Sequence, residues 1–132
     1  MMTRRQLLSL PALLVPPLAY ATPSLELAMK RAREMRELAL RSGDQPYGAV
    51  VVRDGRIVGE APSRVVTAGD WTAHAEREAL RDALRRLNAA DLASCFLVST
   101  SRPCAMCEAA AAKARIARMI HGDALTDAGP PR

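Results

Sequence analysis

Pro103-Cys104-Ala105-Met106-Cys107 decides the architecture expected of this chain, and His74-Ala75-Glu76 is its counterpart earlier in the sequence. Two thiols and an imidazole are ligands of the kind that hold zinc. Zinc takes four ligands in a tetrahedron, and a catalytic zinc takes three from the protein and keeps the fourth position for water. The nearest further group of suitable chemistry is Glu76. On an ideal helix of about 100° per residue, a residue two places past His74 points to a different side. Glu76 is therefore badly placed as a fourth ligand, but near a helix tip it can still reach a metal-held water. A metal, a water and a carboxylate that shuttles protons make a hydrolytic site.

Outward from the cysteines, Pro103 suits the first position of a helix, where no backbone donor is needed. Cys104 and Cys107 then fall in the first turn on one face, where free N–H groups favour thiolate. The helix continues through Ala109 to Ala112. Ser94 to Thr100 reads as a strand joined to it by Ser101 and Arg102. Thr72 is a good N-cap for a helix from Ala73 to about Leu87, with an apolar stripe of Ala79, Leu80, Ala83, Leu84 and Leu87. His74 and Glu76 lie in its first turn.

Upstream, Ala49-Val50-Val51-Val52 is a β-branched run suited to a strand buried on both faces. Asp54-Gly55 is a hairpin turn and Ile57-Val58-Gly59-Glu60 the returning strand. Ala61 to Trp71 reads as a loop, where substrate contacts are commonly carried. Residues 24–41 read as an amphipathic helix capped by Ser24, with Leu25, Leu27, Ala28, Ala32, Met35, Leu38 and Ala39 apolar, and Ser42-Gly43-Asp44 ends it. Its basic residues, with Glu34 and Glu37 among them, read as a solvated face. Ile116 to Ile120 resembles a short fourth strand, and Gly122 to Arg132 a polar, proline-ended tail. Helices alternating with strands imply an α/β fold with a sheet covered on two faces. The hairpin makes that sheet mixed, and both ligand-bearing helices present their N-termini at one edge.

At 132 residues the chain suits one domain. Its aromatic content of 3% leaves the core to Ala, Leu, Val and Ile. Residues 1–21 read as an export signal: Arg4-Arg5, a mostly apolar Leu7 to Ala19, and the small-residue site Ala19-Tyr20-Ala21. Thr3-Arg4-Arg5-Gln6-Leu7-Leu8 resembles a twin-arginine motif, which implies an exported, periplasmic protein, the alternative being cytoplasmic. The apolar part is shorter than the roughly 20 residues of a membrane span. Removing Arg4 and Arg5 from the 19 basic residues leaves 17 against 14 acidic ones, a charge of +3 for residues 22–132. That is too mild to argue for nucleic acid. Three cysteines cannot all pair, which argues against a disulfide framework.

The compound pattern His74-Ala75-Glu76 with Pro103-Cys104-Ala105-Met106-Cys107 matches the H-x-E and P-C-x-x-C signature of zinc nucleobase deaminases. With Pro46 to Gly55 and Thr72-Ala73 beside it, the chain resembles the cytidine deaminase-like superfamily from about Leu25 to Asp127, nearest to guanine deaminases and tRNA adenosine deaminases. The resemblance implies a three-layer α/β/α sandwich, often a homodimer. It implies Zn2+ held by His74, Cys104 and Cys107, and Glu76 as the catalytic proton carrier between the attacking water, the ring nitrogen and the leaving amine. The backbone N–H of Ala75 would face the substrate. Three positions depart from the family: Ser63 stands where purine deaminases carry Asn, Asp70-Trp71-Thr72 where they read Asp-Pro-Thr, and Arg102 where Glu precedes Pro-Cys. Gly129-Pro130-Pro131-Arg132 replaces the guanine deaminases' closing segment. Ser63, Trp71, Ala75 and Arg102 are the expected substrate contacts, and Arg102 suggests an anionic or oxygen-rich substrate or a salt bridge to a neighbouring carboxylate.

The function expected is zinc-dependent hydrolytic deamination of a small-molecule nucleobase or nucleoside, guanine or a related purine favoured. Export argues against tRNA, so a tRNA adenosine deaminase is the alternative if residues 1–21 are not a signal. A zinc-stabilised binding module without turnover is a third possibility. Cys104 and Cys107 could also form a redox pair or disulfide, which leaves His74 and Glu76 unexplained. Cys95 reads as a small buried apolar residue.

Overall fold

A computed structural model describes the backbone of residues 18–132 and the side chains of residues 25–132. The elements run α1 (Leu18–Arg41), β1 (Gly48–Arg53), β2 (Arg56–Pro62), α2 (Ala75–Leu87), β3 (Phe96–Ser99), α3 (Ala105–Lys113), β4 (Arg118–His121) and β5 (Thr126–Gly129). The five strands form one sheet in the order β2-β1-β3-β4-β5. Only β3 and β4 pair in parallel, so the sheet is mixed, as the hairpin requires.

The β-branched run of β1 sits between two cores. Ala49 and Val51 face α2 and α3, together with Ala79, Leu80, Ala83, Leu97 and Ala111. Val50 and Val52 face α1, against Ala28, Met29 and Ala32. This strict alternation, buried on each side, builds the α/β/α sandwich. Two glycines let the helices approach closely. A Cβ on Gly48 would lie 2.1 Å from the Ala32 carbonyl oxygen of α1, and one on Gly59 would lie 2.6 Å from that of Ala79 in α2. The hairpin turns at Asp54 and Gly55, both at positive φ (52° and 73°), which is the backbone a two-residue turn of this kind needs.

Several sequence expectations need correction. Helix α1 begins at Leu18, so Ser24 lies within it and is not at its N-cap position. The expected signal at 1–21 lies largely outside the described residues. The buried stripe of α1 is Ala28, Met29, Ala32, Met35 and Ala39, whereas Leu27 is 62% exposed. The third strand is shorter than Ser94–Thr100, since Ser94 has left-handed backbone at φ 69°. The fourth strand starts at Arg118. The polar tail contains a further strand: Thr126–Gly129 pairs antiparallel with β4, and Arg118 Nε donates to Asp127 Oδ2 at 2.8 Å across that pair.

Topology now places the site. Because β1 and β3 are antiparallel, the start of β1 lies beside the end of β3. The N–H of Thr100 donates to the Gly48 carbonyl at 3.0 Å, and the N–H of Gly48 donates to Thr100 Oγ1 at 3.2 Å. The chain leaves β3 at this edge and enters α3.

Candidate metal centre

His74 and Cys104 are the residues just before α2 and α3, with extended backbone at φ −62°, ψ 150° and φ −70°, ψ 170°. The expected caps are displaced. Thr72 is held by Asp70, whose Oδ1 accepts its hydroxyl at 2.6 Å and its N–H at 2.9 Å, and Pro103 precedes the cap instead of opening the helix. At an N-cap the side chain usually accepts an N–H from the first turn. Neither His74 nor Cys104 does so, which leaves both side chains available to converge.

They converge with Cys107, whose side chain is fully buried in the first turn of α3. His74 Nδ1 lies 3.6 Å from Cys104 Sγ and 3.5 Å from Cys107 Sγ, and the three donor atoms lie within 4.8 Å of one another. A tetrahedral zinc, with bonds of about 2.3 Å to sulfur and about 2.0–2.1 Å to nitrogen, separates a ligand nitrogen from a ligand sulfur by about 3.5–3.6 Å. The donor set and its spacing fit that ion. Among the described residues this is the one cluster of three such groups.

Glu76 sits in the first turn of α2, 5% exposed, with Oε2 3.5 Å from Cys107 Sγ. Burial pushes its carboxyl above the usual range, against the opposing pull of its own backbone N–H and the Cys107 thiol. Burial, then the Glu76 charge and the Cys104 sulfur, push the Cys107 thiol well above its ordinary value. Left to themselves, the Glu76 carboxyl and the Cys107 thiol both resist ionising. A divalent cation held there would reverse that balance and draw off the thiol proton.

A cavity of about 480 Å³ opens onto His74, Glu76 and Cys104. Gln45 and Tyr47 wall it from the start of β1, and Ser101 and Arg102 from the end of β3. Gln45, Tyr47 and Ser101 were not foreseen; their signal is that each flanks a strand end at the ligand-bearing edge. Arg102, one of the expected substrate contacts, lies in the wall. Ser63 and Trp71 are not. Ser63 is 2% exposed and its hydroxyl donates to Asp44 Oδ1 at 2.8 Å, while Trp71 is 84% exposed and covers no core. The side chain of Ala75 belongs to the core, so only its backbone can face the cavity.

Asp44 was also not foreseen as part of the support. Its Oδ2 accepts the N–H groups of Val66 and Thr67 at 3.1 and 2.8 Å, and its Oδ1 accepts that of Gln45 at 2.8 Å. It thereby ties the wall at Gln45 to the loop that leads into His74. Burial opposes its ionisation, but the donors of Thr67, Gln45 and Ser63 outweigh it and hold the carboxyl well below the usual range.

Residues 22–123 match the family model of the cytidine and deoxycytidylate deaminase zinc-binding region. A tRNA(Ile)-lysidine synthase of Deinococcus radiodurans is 42% identical over 106 residues, 80% of this chain but 18% of that protein. A tRNA-specific adenosine deaminase of Aquifex aeolicus is 38% identical over 96 residues, 73% of this chain and 61% of its own. The guanine deaminase of Bacillus subtilis is 42% identical over 83 residues, 63% of this chain and 53% of its own. A solved structure of that guanine deaminase superposes with a TM-score of 0.70 at 38% identity, covering 74% of this chain and 62% of the other. The chain thus spans less than two thirds of the length of these curated relatives. The fold, the matched region and the His74-Cys104-Cys107 cluster agree, and the chain belongs to the cytidine and deoxycytidylate deaminase zinc-binding family.

Proposed function

We propose that this protein is a hydrolase that replaces the exocyclic amine of a purine base or nucleoside, guanine or a close relative, with oxygen and releases ammonia. The observation that carries this reading is the Glu76 carboxylate, buried beside the His74-Cys104-Cys107 cluster and facing the same cavity. When bound by those residues, zinc supplies Lewis acidity that brings the pKa of a water to near neutrality, about 7.

Glu76 accepts a proton from the attacking water, delivers it to the ring nitrogen next to the reacting carbon, and then carries a proton to the departing amine. Water adds, the C–N bond breaks, and the atoms balance as carbonyl product and ammonia. A carboxyl lifted by burial is closer to the pH at which it can both take and give protons. Gln45 and Ser101 offer hydrogen bonds to the base and Tyr47 an apolar face. The N–H of Ala75, at the start of α2, has no intrahelical acceptor and is proposed to face the substrate.

The relative named guanine deaminase supports the purine reading. Relatives named tRNA-specific adenosine deaminases support a second one, adenosine in tRNA. We propose residues 1–21 as an export signal, which favours the small molecule; the family match beginning at residue 22 is in keeping with it. N-terminal sequencing of protein from a periplasmic fraction tests this, and an intact leader on cytoplasmic protein shifts the balance to tRNA. Among the described residues no helix is long and apolar enough to cross a membrane. The homodimer implied by the resemblance is read by light scattering.

Ammonia release from a panel of bases and nucleosides, with Glu76→Ala beside wild type, tests the reaction. The variant keeps zinc and loses turnover if Glu76 moves the protons. A wild type that holds zinc and releases no ammonia from any of the panel would instead be a zinc-stabilised binding module.

A further inference from the structure

We propose that Arg102 selects a substrate bearing a phosphate, so that the compound deaminated is a purine nucleoside 5′-monophosphate in place of a free base; this rests on the deaminase reading above. Arg102 lines the catalytic cavity and also a second cavity of about 400 Å³ whose walls include Pro103, Glu108, Pro130 and Arg132. It is the one side chain shared by the two linings. Arg102 is exposed, and among the described residues it enters no ion pair. The salt bridge expected as an alternative role is therefore not made there.

The second cavity repeats the same chemistry. Its lining contains two arginines and one carboxylate side chain, Glu108. Glu108 Oε1 accepts the backbone N–H of Arg132 at 3.1 Å, which fastens the tail to the first turn of α3. Arg132, so fastened, lines the same cavity as Arg102. A guanidinium grips phosphate through parallel N–H bonds, and a neutral purine has no group that needs one. The net charge of +3 over residues 22–132 is too small to hold a polynucleotide, which favours a mononucleotide.

The test is ammonia release by the zinc-loaded full chain from guanine, guanosine and guanosine 5′-monophosphate, compared across wild type, Arg102→Lys and Arg102→Glu. The monophosphate should exceed the nucleoside in kcat/KM by about tenfold or more in wild type. That ratio should fall partway in Arg102→Lys and vanish in Arg102→Glu, with the change carried by KM. A second readout needs no turnover: ribose 5-phosphate should raise the melting temperature of wild type, ribose should not, and Arg102→Glu should abolish the shift. If that shift is present and no substrate releases ammonia, the deaminase reading fails and the anion site stands alone. Equal kcat/KM for guanosine and its monophosphate, with no shift by ribose 5-phosphate, overturns the proposal. So does a preference for an oligoribonucleotide over the mononucleotide.

Discussion

His74 and Cys104 occupy equivalent places in two helices: each precedes the first turn of its own, each has extended backbone, and His74 Nδ1 lies 3.6 Å from Cys104 Sγ. Two helix starts have given up side-chain capping so that two ligands can meet. An N-cap Ser is worth about 1 kcal/mol over residues that cannot cap. Cys104→Ser should therefore leave the metal-free protein as stable as wild type or up to about 1 kcal/mol more stable, while zinc affinity falls steeply. Urea denaturation with and without chelator checks this. A metal-free variant clearly less stable than metal-free wild type would show that Cys104 stabilises the fold by other means.

Gly59 sets the distance between β2 and the helix that carries Glu76. An added Cβ would meet the Ala79 carbonyl oxygen at 2.6 Å and the Ala83 nitrogen at 2.7 Å, both backbone atoms. Gly59→Ala should cost about 1–3 kcal/mol as an overpacked core and push α2 outward, weakening zinc binding as well as the fold. Denaturation together with zinc titration measures both. Gly69, where nothing lies within 4 Å of an added Cβ, is the control for packing, although its φ of +61° adds some strain of its own.

Asp44→Asn should lower stability by on the order of 2 kcal/mol at pH 7, because buried donors lose a charged acceptor. The sign of its pH dependence follows from a folded pKa held below the unfolded one. The contribution of Asp44 is fully present above the unfolded value of about 4 and is lost as pH falls through the folded value. The stability gap between wild type and Asp44→Asn should thus be widest near neutrality and shrink below about pH 4. A gap that is constant from pH 7 to pH 3 would remove the carboxylate from this account.

The chemistry of the centre was legible in the residues because His74, Glu76, Cys104 and Cys107 are rare types at a demanding spacing. The hairpin was legible because Asp54-Gly55 follows an unbroken β-branched run. The helix starts were misplaced because cap preference ranks Thr72 above His74, whereas in the fold Asp70 occupies Thr72 and the ligands take the cap positions. Strand β5 carries no such signal: Thr126-Asp127-Ala128-Gly129 is nearly all exposed and is ordered by pairing with β4. Gln45, Tyr47, Ser101 and Arg102 come from two segments that only the antiparallel pairing of β1 and β3 brings together. Ser63 and Trp71 were placed by analogy of position, and the bond to Asp44 and the exposure of the indole set them apart from the cavity.

The most direct measurement is zinc content per chain by elemental mass analysis of purified wild type, His74→Ala, Cys104→Ser and Cys107→Ser. One tightly held zinc per wild-type chain, and loss of it in each variant while the protein remains folded, is the predicted result. A folded wild type free of metal, or full zinc content in a folded Cys107→Ser protein, would contradict it.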